Sequence, residues 1–169
     1  NGISDGISER FYDHKLHKRT HYLNFPEKHL SRLILAVPKV DKLLAHPRIL
    51  LRCLDIKRYR ADARSLKLLY WVEPFVGKKF DLIHCHFGPV ANNFLVIKEV
   101  LGKSPQIITT FYGFDVSQIR QNHGPQVYDR LKKEASLFFV MSQNMKERVV
   151  ALGFKESKVI VQPVGIEMD

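Results

Sequence analysis

From residue 81 onward, short apolar runs alternate with helical segments, and this alternation constrains the fold more than any other feature. Asp81–Cys85, Gln106–Phe111, Ser136–Met141 and Lys158–Gln162 have the β-branched and apolar composition of strands. Between them, helices are predicted over about 90–101, over about 125–135, and from a cap at Ser142 or Asn144 to near Leu152. Gly102 and Gly153 stand where a helix C-terminus needs a left-handed residue. Strands apolar along their whole length, separated by helices, call for an α/β fold with a parallel sheet and helices on both faces. Parallel strands release their functional side chains at one edge, just beyond their C-termini. His84, His86, Gly88, Tyr112, Gly113 and Asp115 are therefore expected to gather in one crevice.

Charge separates the two halves of the chain. Residues 1–80 hold 17 Lys/Arg against 8 Asp/Glu, whereas residues 81–169 hold 10 against 9. The excess belongs to the first half and suits a surface facing phosphate, of lipid or of nucleic acid; a solvated face without a partner gives the same count. At 169 residues, 45% hydrophobic and 26% charged, the chain has the makeup of one globular domain. No apolar run reaches the roughly 20 residues of a membrane span. The opening N-G-I-S-D-G lacks a basic-then-apolar leader pattern, and the chain reads as a piece of a longer protein. Cys53 and Cys85, far apart in apolar surroundings, make neither a disulfide framework nor a zinc ribbon. Buried thiols in a reducing compartment, the cytoplasm, are the matching expectation.

Within the first half, Thr20–Phe25 has the composition of a short strand closed by Pro26. Leu33, Ile34, Val37, Val40 and Leu44 fall on one helix face, which Pro38 should kink or split. Pro47 suits the first turn of a second helix over roughly 48–57, and a third is predicted over about 61–74 with Leu66, Leu69 and Val72 inward. Arg48, Arg52, Lys57, Arg58, Arg60, Arg64 and Lys67 fall across these two helices and their joint. Such a pattern fits an anionic membrane surface and equally fits two ordinary surface helices.

His84 and His86 lie two apart, so on a strand both point to one face. A pair of nitrogens falls short of a usual metal site, and no third ligand of suitable spacing stands nearby; no metal and no cofactor are expected.

D-L-I-H-C-H-F-G, T-T-F-Y-G-F-D-V-S, F-V-M-S-Q-N-M-K-E-R-V-V-A-L-G and K-V-I-V-Q-P-V-G-I-E occur in order over residues 80–169. Together they resemble glycosyltransferase family 4 (group 1), and more narrowly its bacterial exopolysaccharide and colanic-acid type. Over residues 1–79 the similarity is limited to the early strand, the proline break and the basic helices. The resemblance implies two Rossmann-like domains facing a cleft, with this chain as most of the N-terminal, acceptor-binding one. The domain would run over 1–163, with 164–169 as the hinge to a C-terminal donor-binding domain. An opening strand with a glycine loop would precede Asn1 and the E-x7-E donor motif would follow Asp169, so this stretch alone should not catalyse.

The implied activity is retaining transfer of a sugar, of hexosyl type, from a nucleotide-sugar donor to a glycan or lipid-linked acceptor in polysaccharide biosynthesis. A lipid-linked acceptor would set the basic helices against the inner face of the plasma membrane. By position, Tyr112 and Asp115 are the expected catalytic residues, with His86, Gly88, Asn92, Gly113 and Ser142 lining the substrate site. Family members reading T-F-H-G-x-D place histidine where this chain has Tyr112. A phenol gives or takes one hydrogen bond but is a poor base near neutral pH, so positioning, a different sugar or reduced activity follows. Packing of the cleft wall is the plainer role for Tyr112, and a cap or turn the plainer role for Asp115. His84, deeper in its strand, reads as structural. The competing class is a non-catalytic basic α/β module for nucleic acid or an anionic surface. It explains the charge but leaves the H-C-H-F-G and T-F-Y-G-F-D blocks without a purpose, and no nucleic-acid motif supports it.

Overall fold

The computed structural model describes residues 12–163. After a 3-10 turn at Leu16–Lys18, four α-helices lead up to the sheet: α1 (His29–Leu44), α2 (Pro47–Cys53), α3 (Ile56–Arg64) and α4 (Lys67–Val72). The sheet half follows in the order β1 (Leu82–His86), α5 (Gly88–Leu101), β2 (Gln106–Phe111), α6 (Phe114–His123), α7 (Asp129–Glu134), β3 (Leu137–Val140), α8 (Gln143–Ala151) and β4 (Val159–Val161). All strand pairings are parallel, in the spatial order β1-β2-β3-β4, with Cys85 opposite Thr109, Thr109 opposite Phe138, and Phe138 opposite Val159. This is the expected Rossmann-like α/β class, but among the described residues helices α5, α6 and α8 pack on one face of the sheet rather than on both, because every right-handed crossover in the order β1-β2-β3-β4 steps the same way.

The pleat sorts side chains by parity. Cys85, Ile107, Thr109, Phe111, Phe138, Val140 and Val159 are buried and form the closed face. Phe111, Phe138 and Phe154 meet there with Tyr128, Phe154 standing edge-on to Phe138 at 4.7 Å and to Phe111 at 5.4 Å. Such edge-to-face contacts add to what burial of the rings contributes. The opposite face carries Leu82, His84, His86, Ile108, Phe139 and Ile160, half-buried to exposed. Burial pushes the Cys85 thiol up to about 11 and the Cys53 thiol up to about 12, so both stay protonated near neutral pH.

Several boundaries differ from the sequence reading. Thr20–Phe25 forms no strand; the Phe25 ring instead meets Tyr70 edge-on at 5.4 Å and lies 4.4 Å beneath the Arg32 guanidinium. Pro38 does not split α1, which runs 16 residues through it. The proline supplies no N–H, so the helix runs on with one i→i−4 hydrogen bond fewer at that turn. The third predicted helix is two: α3, capped by the Asp55 carboxylate accepting from the Arg58 amide at 3.0 Å, and α4, set off by Leu66 at φ 62°. The helix predicted over 125–135 shrinks to α7, and the stretch from Phe114 to His123, to which the sequence reading gave no element, forms α6. Its first turn places Asp115 beside positive dipole ends, which the weak apolar periodicity concealed.

Candidate functional site

The two loops that follow β1 and β2 are tied together by one side chain. Asp115 is fully buried, and its carboxylate accepts from three backbone amides. Oδ1 takes the N–H groups of Tyr112 and Gly113, each at 3.1 Å, and Oδ2 takes that of Gly88 at 3.0 Å. Phe87, the residue before α5, offers no side-chain cap, so the α5 N-terminus is capped from the neighbouring loop. The Tyr128 hydroxyl donates to the Asp115 carbonyl at 2.8 Å and closes the cluster from below. Gly88 is glycine for want of space: a Cβ there would lie 2.7 Å from ring carbons of both Phe111 and Tyr128. At Gly113 the reason is conformational, with φ 104° and open space where a Cβ would stand.

Above this junction, on the open face, the strand ends form a cavity of about 200 Å³. His84 and His86 of β1, Thr110 of β2, Tyr112, Phe139 of β3, Met141 and Gln162 line it. The Tyr112 hydroxyl and His86 Nδ1 are 2.5 Å apart, and His84 Nε2 sits 2.7 Å from the Thr110 hydroxyl. The His84 and His86 rings stack at 4.5 Å. Burial, and then the neighbouring His86, hold His84 below its ordinary pKa. Only these two imidazoles converge; among the described residues no group of three or more His, Cys, Asp or Glu is placed to hold a metal.

The expected site residues thus divide. Tyr112, with its side chain partly exposed, and His86 meet in the cavity, together with His84. Asp115, Gly88 and Gly113 lie behind it and fix the loop that presents Tyr112. Asn92 donates from Nδ2 to the Val127 carbonyl at 2.8 Å, joining α5 to the segment before α7. The Ser142 hydroxyl accepts from the Met145 amide at 3.2 Å and caps α8. Thr110, Phe139, Met141 and Gln162 were not anticipated. Strand parity with His84 and His86 is the signal that finds Thr110 and Phe139.

The basic residues form a separate region. Arg52 donates to the Glu99 and Val100 carbonyls at 3.4 and 3.2 Å, satisfying the end of α5. Arg58 pairs with Glu99 at 2.7 Å, and Lys67 pairs with Asp62 at 3.3 Å while lying 4.1 Å over Trp71. Burial pushes the Glu99 carboxyl up, but the Tyr59 hydroxyl, Arg130 and Arg58 together hold it below the ordinary carboxylate range. Arg48, Lys57, Arg60 and Arg64 are exposed and make no ion pair among the described residues. Arg60 also breaks the regularity of α3, at φ 46° and ψ −115°.

Comparison with known proteins adds the family. The model of Glycosyltransferase Family 4 matches residues 4–169, nearly the whole chain. No curated protein and no solved structure matches. A parallel α/β sheet with its polar crevice at the strand C-termini is an arrangement suited to such a domain, and the chain belongs to glycosyltransferase family 4.

Proposed function

We propose that this domain is the acceptor-binding half of a retaining glycosyltransferase. It moves a sugar, of hexosyl type, from a nucleotide-sugar donor to a glycan or lipid-linked acceptor in polysaccharide synthesis of the exopolysaccharide and colanic-acid kind. The single observation that carries this is the His86–Tyr112 pair, 2.5 Å apart at the mouth of the strand-end cavity. If the phenol donates to Nδ1, its oxygen still accepts and His86 Nε2–H donates. If Nδ1–H donates to the phenol oxygen, Nε2 accepts and the phenol donates outward. In either tautomer the pair offers one donor and one acceptor, which matches a sugar hydroxyl that needs both.

On this reading the pair fixes the attacking hydroxyl, and positioning of that kind supplies a large share of a transfer barrier. Charge developing on the departing diphosphate would be met by cations and helix N-termini of the second domain; the hinge expected at 164–169 lies outside the described residues. The domain alone is then inactive, as the donor site is built elsewhere. The protein works in the cytoplasm, against the inner face of the plasma membrane when the acceptor is lipid-linked. Incubating the full-length gene product with a panel of UDP-, GDP- and ADP-sugars together with glycan and lipid-extract acceptors, and measuring nucleoside diphosphate release, tests the reading. Release with at least one donor supports it, and release with none removes it.

A further inference from the structure

Helix α1 presents to solvent what a surface helix ordinarily keeps inside. Leu30, Leu33, Ile34, Val37 and Leu44 are each more than half exposed. At about 100° per residue they fall within an arc of about 100° on one side of the helix, a stripe roughly 20 Å long at 1.5 Å per residue. The helix is fastened by its other side. Ala36 and Leu43 are buried, the Tyr70 hydroxyl donates to the Arg32 carbonyl at 2.8 Å, and Lys39 and Lys42 reach Glu73 at 3.2 and 2.5 Å. The stripe is therefore not the face on which this helix packs. Within its arc only Asp41 is charged, and α2 adds Leu51, exposed to 70%. A contiguous apolar surface of this extent marks a place where something binds.

Charge identifies the occupant. Between residues 28 and 67, the stretch that carries the stripe, eleven Lys/Arg stand against three Asp/Glu. Asp62 is paired with Lys67 and Asp55 caps α3, whereas Arg48, Lys57, Arg60 and Arg64 have no ion pair among the described residues. A second copy of the chain would bring the same cationic surface against itself, which like charges oppose. No helix among the described residues is long and apolar enough to cross a membrane. An apolar stripe carried by a stretch this rich in unpaired cations is the pattern of a segment lying against an anionic bilayer.

We infer that α1 seats this stripe at the headgroup–acyl boundary of an anionic membrane, with the unpaired cations of α2 and α3 meeting lipid phosphates. This deepens the glycosyltransferase reading, on which it rests for its purpose, since it would hold the strand-end cavity beside a lipid-linked acceptor. The test is flotation of the full-length protein with vesicles of phosphatidylcholine alone and of phosphatidylcholine with phosphatidylglycerol in equal parts. Wild type is expected to float with the anionic vesicles and at least about tenfold more weakly with the neutral ones. The double variant Ile34→Ser/Val37→Ser should lose about tenfold or more of the anionic binding, with an unchanged thermal melt. Arg48→Gln/Arg60→Gln should weaken binding and flatten its dependence on salt. The inference is overturned if wild type floats with neither vesicle, or if the serine variant binds as well as wild type. It is equally overturned if that variant turns a dimer into a monomer without changing flotation. Nucleotide release from the donor panel, measured on the same preparations, reports separately on the glycosyltransferase reading.

Discussion

Tyr112 and Asp115 stand three residues apart in one loop and have opposite surroundings. The Tyr112 side chain opens into the cavity with His86, while Asp115 is wholly buried with its carboxylate spent on three backbone amides. One motif, T-F-Y-G-F-D, therefore holds both a group that faces the cavity and the brace that aims it. A buried carboxylate loaded with N–H donors is costly to disturb, whereas an exposed phenol can change with little loss of stability. Adjacency in a motif does not imply a shared task, and the two are separable by experiment.

Asp115→Ala breaks the comparison most severely. It strands the amides of Gly88, Tyr112 and Gly113, and at about 1–3 kcal/mol for each unsatisfied buried group, partly relieved by water at the loop, the loss is about 3 kcal/mol. Urea denaturation of the full-length protein measures it, and a loss within about 0.5 kcal/mol would mean that the brace does not bear on stability. Gly88→Ala comes next. Its methyl group would press on the Phe111 and Tyr128 rings, and overpacking of this kind costs about 1–3 kcal/mol. The same denaturation series checks it, with a neutral result contradicting the tight approach seen at this position.

Tyr112→Phe sharpens the comparison from the other side. The hydroxyl is bonded only to a partly exposed histidine, so stability should change by about 1 kcal/mol or less in the same unfolding measurement. The smallest expected effect is a pH dependence. His84 is held below its ordinary value of 6.5 when folded, so the unfolded chain binds the proton more readily. Stability should accordingly be present above that value and fall as pH drops through the folded pKa. Melting curves taken between about pH 7.5 and 5 should show this slope, and His84→Gln should flatten it.

The sheet half was far more legible than the helical half, for a physical reason. Gln106–Phe111 appears with the bounds its residues predict, and Gly102 takes the left-handed cap at φ 64° because glycine there has no competitor. Composition defines a buried parallel strand on its own. Whether Thr20–Phe25 becomes a strand depends on a pairing edge, which composition does not report. In α1 the apolar spacing placed Leu33, Ile34, Val37, Val40 and Leu44 on one helix face, yet the structure buries Ala36 and Leu43 and leaves Leu33, Ile34 and Val37 in solvent. Periodicity shows that a helix has an apolar face without showing what covers it. At the site, His86 and Tyr112 were legible because strand ends converge. The structural tasks of Asn92 and Ser142 were not, as each depends on a backbone partner that only folding brings near. The family itself, matched over residues 4–169, was legible in four short blocks.

The most direct test of the account is the rate of nucleoside diphosphate release by full-length Tyr112→Phe, measured beside its melting temperature with whichever donor sugar the wild type accepts. The account predicts a loss of about tenfold or more in rate from the missing hydroxyl, with a melting temperature close to wild type. A variant that keeps its full rate would contradict it, and would return Tyr112 to the wall of the cleft.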